Sequence, residues 1–277
     1  MRLWLLAMLS TGCFSEPARP ACTAPRKLEV INSTAEDSGP WLSRDRLEMI
    51  FASNRENSFD LYRAVRTGAE VNFSTPVRMT GVLDENQDEA DPFVMPDGRT
   101  VYFTGTKPGF AYGVIFEATR PSEDSAELTI VRELTELDEA RHASLTADGL
   151  AIYFDAYDGS YSQLYMANRA RTSDAFSGPA RVPGIDVERI QSAPSISGDG
   201  NTLVFAANAP NEAGRLVRVV RGDDGMFGPP EDVAEADAQP DRSDYDPYQM
   251  PDGHTILFAS TRTPTGTNDN DIYISCE

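Results

Sequence analysis

Short apolar runs rich in β-branched and aromatic residues, such as Thr100-Val101-Tyr102-Phe103 and Thr202-Leu203-Val204-Phe205-Ala206, recur along the chain between acidic and turn-forming stretches. This composition predicts strands. No stretch holds a helical period over three turns. An Asp-Gly pair precedes most of these runs, and Gly accepts the positive φ that a tight hairpin demands. A short strand before that turn and the run after it therefore form a hairpin. A third run follows each hairpin, as in Asp60-Leu61-Tyr62, Gln163-Leu164-Tyr165 and Asp271-Ile272-Tyr273. A fourth follows an aromatic-small-Pro turn such as Phe176-Ser177-Gly178-Pro179.

The four pieces repeat. Asp91-Pro-Phe-Val-Met-Pro-Asp-Gly-Arg-Thr-Val-Tyr-Phe103 returns as Asp246-Pro-Tyr-Gln-Met-Pro-Asp-Gly-His-Thr-Ile-Leu-Phe258, with fainter copies ending at Phe51, Phe154 and Phe205. Successive Phe residues stand 52, 51, 51 and 53 apart, and an Asp stands six positions before each. Five units of four antiparallel strands predict an all-β, five-bladed β-propeller over residues 27–277. The fifth unit stops after its third strand, while Lys27 to Ile31 forms an orphan strand at the start. That N-terminal strand is expected to complete the last blade and close the ring, leaving no free edge.

The succession Asp-Pro, Pro-Asp-Gly, an apolar triplet ending in Phe, and Asp-Ile-Tyr resembles the TolB-type WD40-like propeller repeat. Ser53-Asn54-Arg55 and Ser260-Thr261-Arg262 match the Ser-x-Arg of that repeat. The resemblance departs at Arg46, which replaces the turn Gly, and at Arg215-Leu216-Val217, which replaces Asp-Ile-Tyr. It implies the propeller fold and a binding platform rather than a particular activity.

The formal charge is −20, from 44 acidic and 24 basic residues. Phosphate backbones need the opposite sign, so nucleic acid is not expected as a partner. Arg2 and the apolar Leu3 to Leu9 form a short export signal. Leu9-Ser10-Thr11-Gly12-Cys13 resembles the bacterial lipobox, which implies a signal peptide over 1–12 and lipidation of Cys13. Residues 13–26 then form a flexible tether, and the lipid is the sole membrane attachment. The implied place is the cell envelope, as an outer-membrane lipoprotein facing the periplasm or the surface. Cys22 and Cys276 flank the predicted closure, and an oxidising compartment favours a disulfide between them.

Candidate chemistry falls at the channel. The loops leading into each first strand hold 16 carboxylates in 41 residues against three basic residues. Such a rim suits a cationic ligand or Ca²⁺, and otherwise merely caps turns and keeps the rim soluble. No other cofactor is expected. Flanking the repeat Pro position, Trp41, Phe93 and Tyr248 form an aromatic shelf at the mouth, with Asp91, His142 and Asp246 as its polar contacts. That set suits a peptide end or a sugar, and equally suits packing between blades. The only other histidine is His254, and two are too few for a multi-histidine metal site. There is no Gly-x-Ser-x-Gly elbow, so a protein-binding platform for an envelope protein or peptide is expected, with a glycan-binding or glycan-hydrolysing propeller as the alternative.

Overall fold

The computed structural model describes residues 24–83, 87–109, 112–185, 190–209, 212–236, 242–262 and 270–276. Five four-stranded antiparallel sheets form the five blades of a propeller. Their first strands are Asp37–Leu42, Glu89–Val94, Ala140–Leu145, Ile190–Ile196 and Asp244–Gln249. Arg26–Lys27 pairs antiparallel with Ile274 and Tyr273 and supplies the fourth strand of the last blade. The ring therefore closes through the N-terminus as expected, with a shorter strand. After Lys27 the chain turns, and Leu28 and Ile31 leave the sheet to bury their side chains in the core beside Ile272 and Ile274. Two single 3₁₀ turns, Thr135–Leu137 and Ala234–Ala236, lie in loops, and among the described residues no helix is long and apolar enough to cross a membrane.

The repeat residues have separate jobs. All five Phe residues are buried, at 0–2% exposure. The Asp six positions earlier caps the hairpin turn: Asp97 Oδ1 accepts from the backbone N–H of Arg99 and Thr100, and Asp252 Oδ1 does so from His254 and Thr255. Asp45, Asp148 and Asp199 accept in the same way from Leu47, Leu150 and Asn201. The following position takes positive φ in every blade, at Gly98, Gly149, Gly200 and Gly253, and at Arg46 where the Gly is missing. Arg46 is anchored in that conformation by bonds to Asp252 (2.9 Å) and Thr255 (2.7 Å) of the last blade.

The Ser-x-Arg runs tie strands together within a blade. Arg262 donates to Ser260 and to both carboxylate oxygens of buried Asp244, and its guanidinium lies over Phe258 and Tyr273. Arg55 repeats this with Ser53, Asp37, Phe51 and Tyr62. Asp37 and Asp244 therefore serve the blade interior, although their loops form part of the predicted acidic rim.

Candidate functional site

Each first strand runs through its Pro position rather than starting after it, because a bulge falls there in every blade. An extra residue bends the strand and re-aims its side chains. The residue before the Pro position carries the bend and takes positive φ in all five blades: Gly39 (56°), Asp91 (55°), His142 (53°), Ala193 (50°) and Asp246 (47°). Four of these are not glycine, and left-handed backbone costs an L-residue roughly 1–2 kcal/mol. Together they form a ring around the narrowest part of the channel, a cavity of about 40 Å³.

Three members of the ring are ionisable and converge. His142 Nε2 stands 3.3 Å from Asp91 Oδ1 and 3.6 Å from Asp246 Oδ1. On its other side, His142 Nδ1 meets Asp155 Oδ1 at 2.6 Å. Asp155 is fully buried and also accepts from Ser162 (2.7 Å) and from the backbone N–H of Ala193 (3.0 Å). Asp246 Oδ2 faces the Gly39 amide at 3.4 Å. A Cβ on Gly39 would stand 3.1 Å from Asp91 backbone atoms and 3.4 Å from its Oδ1, so the missing side chain leaves the Asp91 carboxylate room. Burial alone would lower the His142 pKa, but Asp91 and then Asp155 outweigh it and raise it to about 9. Burial pushes Asp246 up to about 6 against the pull of His142. For Asp155, His142 overcomes burial and holds the carboxyl at about 2.

The residue after the Pro position points the other way. Trp41, Phe93 and Tyr248 line a funnel of about 990 Å³ on the hairpin-turn face, together with Met95, Ile196 and Met250. Asp91, His142 and Asp246 open instead to a mouth of about 760 Å³ on the opposite face, shared with Tyr112, Arg141 and Tyr245. The sequence places all six residues at one mouth; in the structure all but Trp41 border the small central cavity, from which the aromatic and ionisable sets open to opposite faces. In a regular strand two residues two positions apart line the same face, and it is the bulge between them that breaks this alternation and turns them apart. Trp41 is also a core residue, 6% exposed, with its ring 6.3 Å from that of Tyr248. At the equivalent position in blades 3 and 4, Ser144 and Ser195 bind the backbone amides of Ile196 and Gln249 in the next blade.

Sequence reasoning missed Asp155, which is one residue past the repeat Phe154 and carries no signal of its own. It kept His142 as a polar contact of the mouth but set aside a multi-histidine metal site, whereas the partners of His142 are carboxylates from three other strands. Of the 16 rim carboxylates, the six at positions 84, 85, 186, 188, 237 and 241 lie outside the described residues. So do Arg2, Leu3 to Leu9, Cys13 and Cys22. Cys276 is disulfide-bonded.

The sequence matches no protein-family profile and no curated protein. Solved structures share its fold. A putative TolB from Agrobacterium tumefaciens superposes with a TM-score of 0.54 at 15% identity, over 88% of this chain and 78% of that one. TolB from Acinetobacter baumannii gives 0.52 at 17% identity, over 90% of this chain and 56% of the longer TolB chain. An endo-arabinase from Bacteroides thetaiotaomicron gives 0.60 at 13% identity, over 93% and 97%. At these identities the likeness is one of fold.

Proposed function

We propose that this is an exported, lipid-anchored propeller serving as a protein-binding platform in the bacterial cell envelope. The observation that carries the reading is the funnel on the hairpin-turn face. Its Trp41, Phe93, Tyr248, Met95 and Met250 offer apolar surface in a concavity wide enough for a peptide or loop. Aromatic anchors in a desolvated pocket supply most of the energy of such contacts, and Met adapts to the shape of a partner. Tyr248 adds a hydroxyl whose pKa burial pushes up, which keeps it a neutral hydrogen-bond donor. The export signal, the lipobox-like Cys13 and the shared fold with TolB support the envelope location.

A photo-crosslinking side chain in place of exposed Arg44, at the funnel edge, tests this in living cells. A discrete adduct with an envelope protein is expected, and none from the same group in place of Val131 on an outer strand. Absence of any adduct, or equal adducts from both positions, would count against the platform.

One observation favours a glycan-processing reading: Asp91 and Asp246 stand together at the other mouth, in a fold shared with an endo-arabinase. Their nearest oxygens lie within 4.8 Å, closer than the roughly 6.5–9.5 Å that inverting hydrolysis uses. The 40 Å³ between them is far smaller than a sugar ring, so a glycan would have to dock from the mouth above. Release of reducing ends from arabinan or related polymers, lost with Asp246→Asn, would establish this reading.

A further inference from the structure

We propose that Asp91, His142 and Asp246 form a divalent-metal site at the waist of the channel, suited to a first-row transition ion, with Zn²⁺ foremost. Three blades each deliver one ligand atom to the axis, and the three atoms lie within 4.8 Å of one another. The two separations from His142 Nε2 are those of co-ligands. At 3.3 and 3.6 Å, His142 Nε2 is beyond hydrogen-bond length from both carboxylate oxygens. Ligands about 2.0–2.1 Å from a tetrahedral Zn²⁺ stand about 3.3–3.4 Å apart. An ion therefore fits between Nε2 and the two oxygens with only a small inward shift of the carboxylates.

The surroundings are built for the same role. Asp155 holds Nδ1 at 2.6 Å, which fixes the ring and leaves Nε2 as the nitrogen facing the axis. A buried carboxylate behind a ligating imidazole is the usual second support of such a site, orienting the ring and raising its basicity. Asp155 is itself held by Ser162 and the Ala193 amide, so the support is rigid. The remaining ring positions, Gly39 and Ala193, bring no side-chain ligand, and the 40 Å³ cavity has room for a water as a fourth, exchangeable ligand. The imidazole nitrogen decides the class of ion. Ca²⁺ and Mg²⁺ take oxygen ligands, whereas imidazole suits Zn²⁺ and its neighbours. This site takes Asp91 and Asp246 from the acidic loops but differs from their Ca²⁺ reading in depth and ion, and it adjoins the proposed peptide-binding funnel through Phe93 and Tyr248.

The mature chain, stripped with a chelator, is titrated with Co²⁺ and then with Zn²⁺ while visible absorption is recorded. Saturable Co²⁺ bands at one equivalent, bleached by Zn²⁺ and unmoved by Ca²⁺, are expected. Asp155→Asn should keep the stoichiometry and weaken Zn²⁺ binding about 10–100-fold. Asp91→Asn with Asp246→Asn, near-isosteric changes, should abolish the bands while the metal-free circular dichroism matches the parent. Should that pair fail to fold, Asp246→Asn alone serves, with at least a 10-fold loss expected. No saturable band, affinity unchanged in these variants, or displacement by equimolar Ca²⁺ would overturn the proposal.

Discussion

Arg120 in blade 2 donates from both terminal nitrogens to the Glu48 carboxylate in blade 1, at 2.6 and 2.8 Å, with only 1% of its own side chain exposed. Its Nε binds the Gly98 carbonyl of its own hairpin turn at 2.6 Å. The arrangement recurs around the ring. Arg169 binds the Gly149 carbonyl and the Tyr102 hydroxyl of blade 2; Arg221 binds the Gly200 carbonyl and the Tyr153 hydroxyl of blade 3. Each arginine follows its third strand and reaches the second strand of the blade before. In blade 1 the position matching Tyr102 is Ile50, which cannot accept, and Glu48 takes its place two residues earlier on the same face. Glu48 is held there by Arg63 as well.

Removing Arg120 leaves Glu48 partly buried with Arg63 as its remaining partner. Arg120→Met should therefore cost less than the roughly 3–5 kcal/mol of a wholly uncompensated buried charge, at about 2–3 kcal/mol in denaturant unfolding. Adding Glu48→Gln should restore part of it, because the under-paired charge is gone. Strictly additive losses in the double-mutant cycle would show that the two side chains act independently.

Glu89, 1% exposed, sits beside Asp60, and burial followed by the Asp60 charge pushes its carboxyl from 4.5 up to about 8. The folded state thus keeps a proton that the unfolded chain gives up. Stability is full below pH 4.5 and is lost as the pH rises through 8. Glu89→Gln carries no titrating proton, so its guanidinium midpoint should fall less than the parent's between about pH 5 and 8. His142 adds a loss of the same sign up to about 9 in both proteins, which leaves the difference between them to Glu89. Parallel pH profiles would rule the assignment out.

Gly184 has φ +88°, and a Cβ there would stand 2.3 Å from the Phe227 carbonyl oxygen of the next blade. Gly159 has a similar φ of +98° and open space around it. Gly159→Ala should cost about 1–2 kcal/mol from backbone strain alone. Gly184→Ala should cost clearly more, because the backbone oxygen cannot move aside. Thermal unfolding of both variants separates strain from clash, and equal losses would deny the close approach.

The closure depends on short segments. Asn32 donates to the Leu28 and Ile272 carbonyls and accepts from the Ile272 amide, while Lys27 pairs with Asp271. A chain lacking residues up to Leu28 would leave Asp271–Ser275 with a free edge, and such edges recruit other strands. Self-association on size-exclusion chromatography is the expected result. A monomeric truncated chain would show that the fourth strand is dispensable. Peptide mapping without reductant should find Cys276 joined to Cys22, a staple worth about 4–5 kcal/mol on the chain-entropy account. Linkage to Cys13 would contradict both that pairing and lipidation of Cys13.

Much of this was legible in the sequence because repetition makes weak signals add. One Asp-Gly turn says little, but five Asp residues at a fixed distance from five Phe residues specify five hairpins, and the caps appear where the spacing puts them. The closure was legible for a similar reason: a unit short of one strand and an orphan strand must meet. The arginine row escaped notice, although Arg66, Arg120, Arg169 and Arg221 recur at nearly the repeat distance. Their partners are turn carbonyls and residues of the preceding blade, which no local pattern marks.

The sequence by itself therefore determined the number of blades, the strand order, the turns and the way the ring shuts, since each follows from local propensity and period. Only the tertiary structure decided what the channel holds. It bulges every first strand at the Pro position, sends Trp41, Phe93 and Tyr248 to one face, and turns Asp91, His142 and Asp246 to the axis. The physical reason is that these residues lie about fifty to two hundred positions apart. Their meeting depends on the ring closing and on a left-handed backbone bend that side-chain identity alone does not announce.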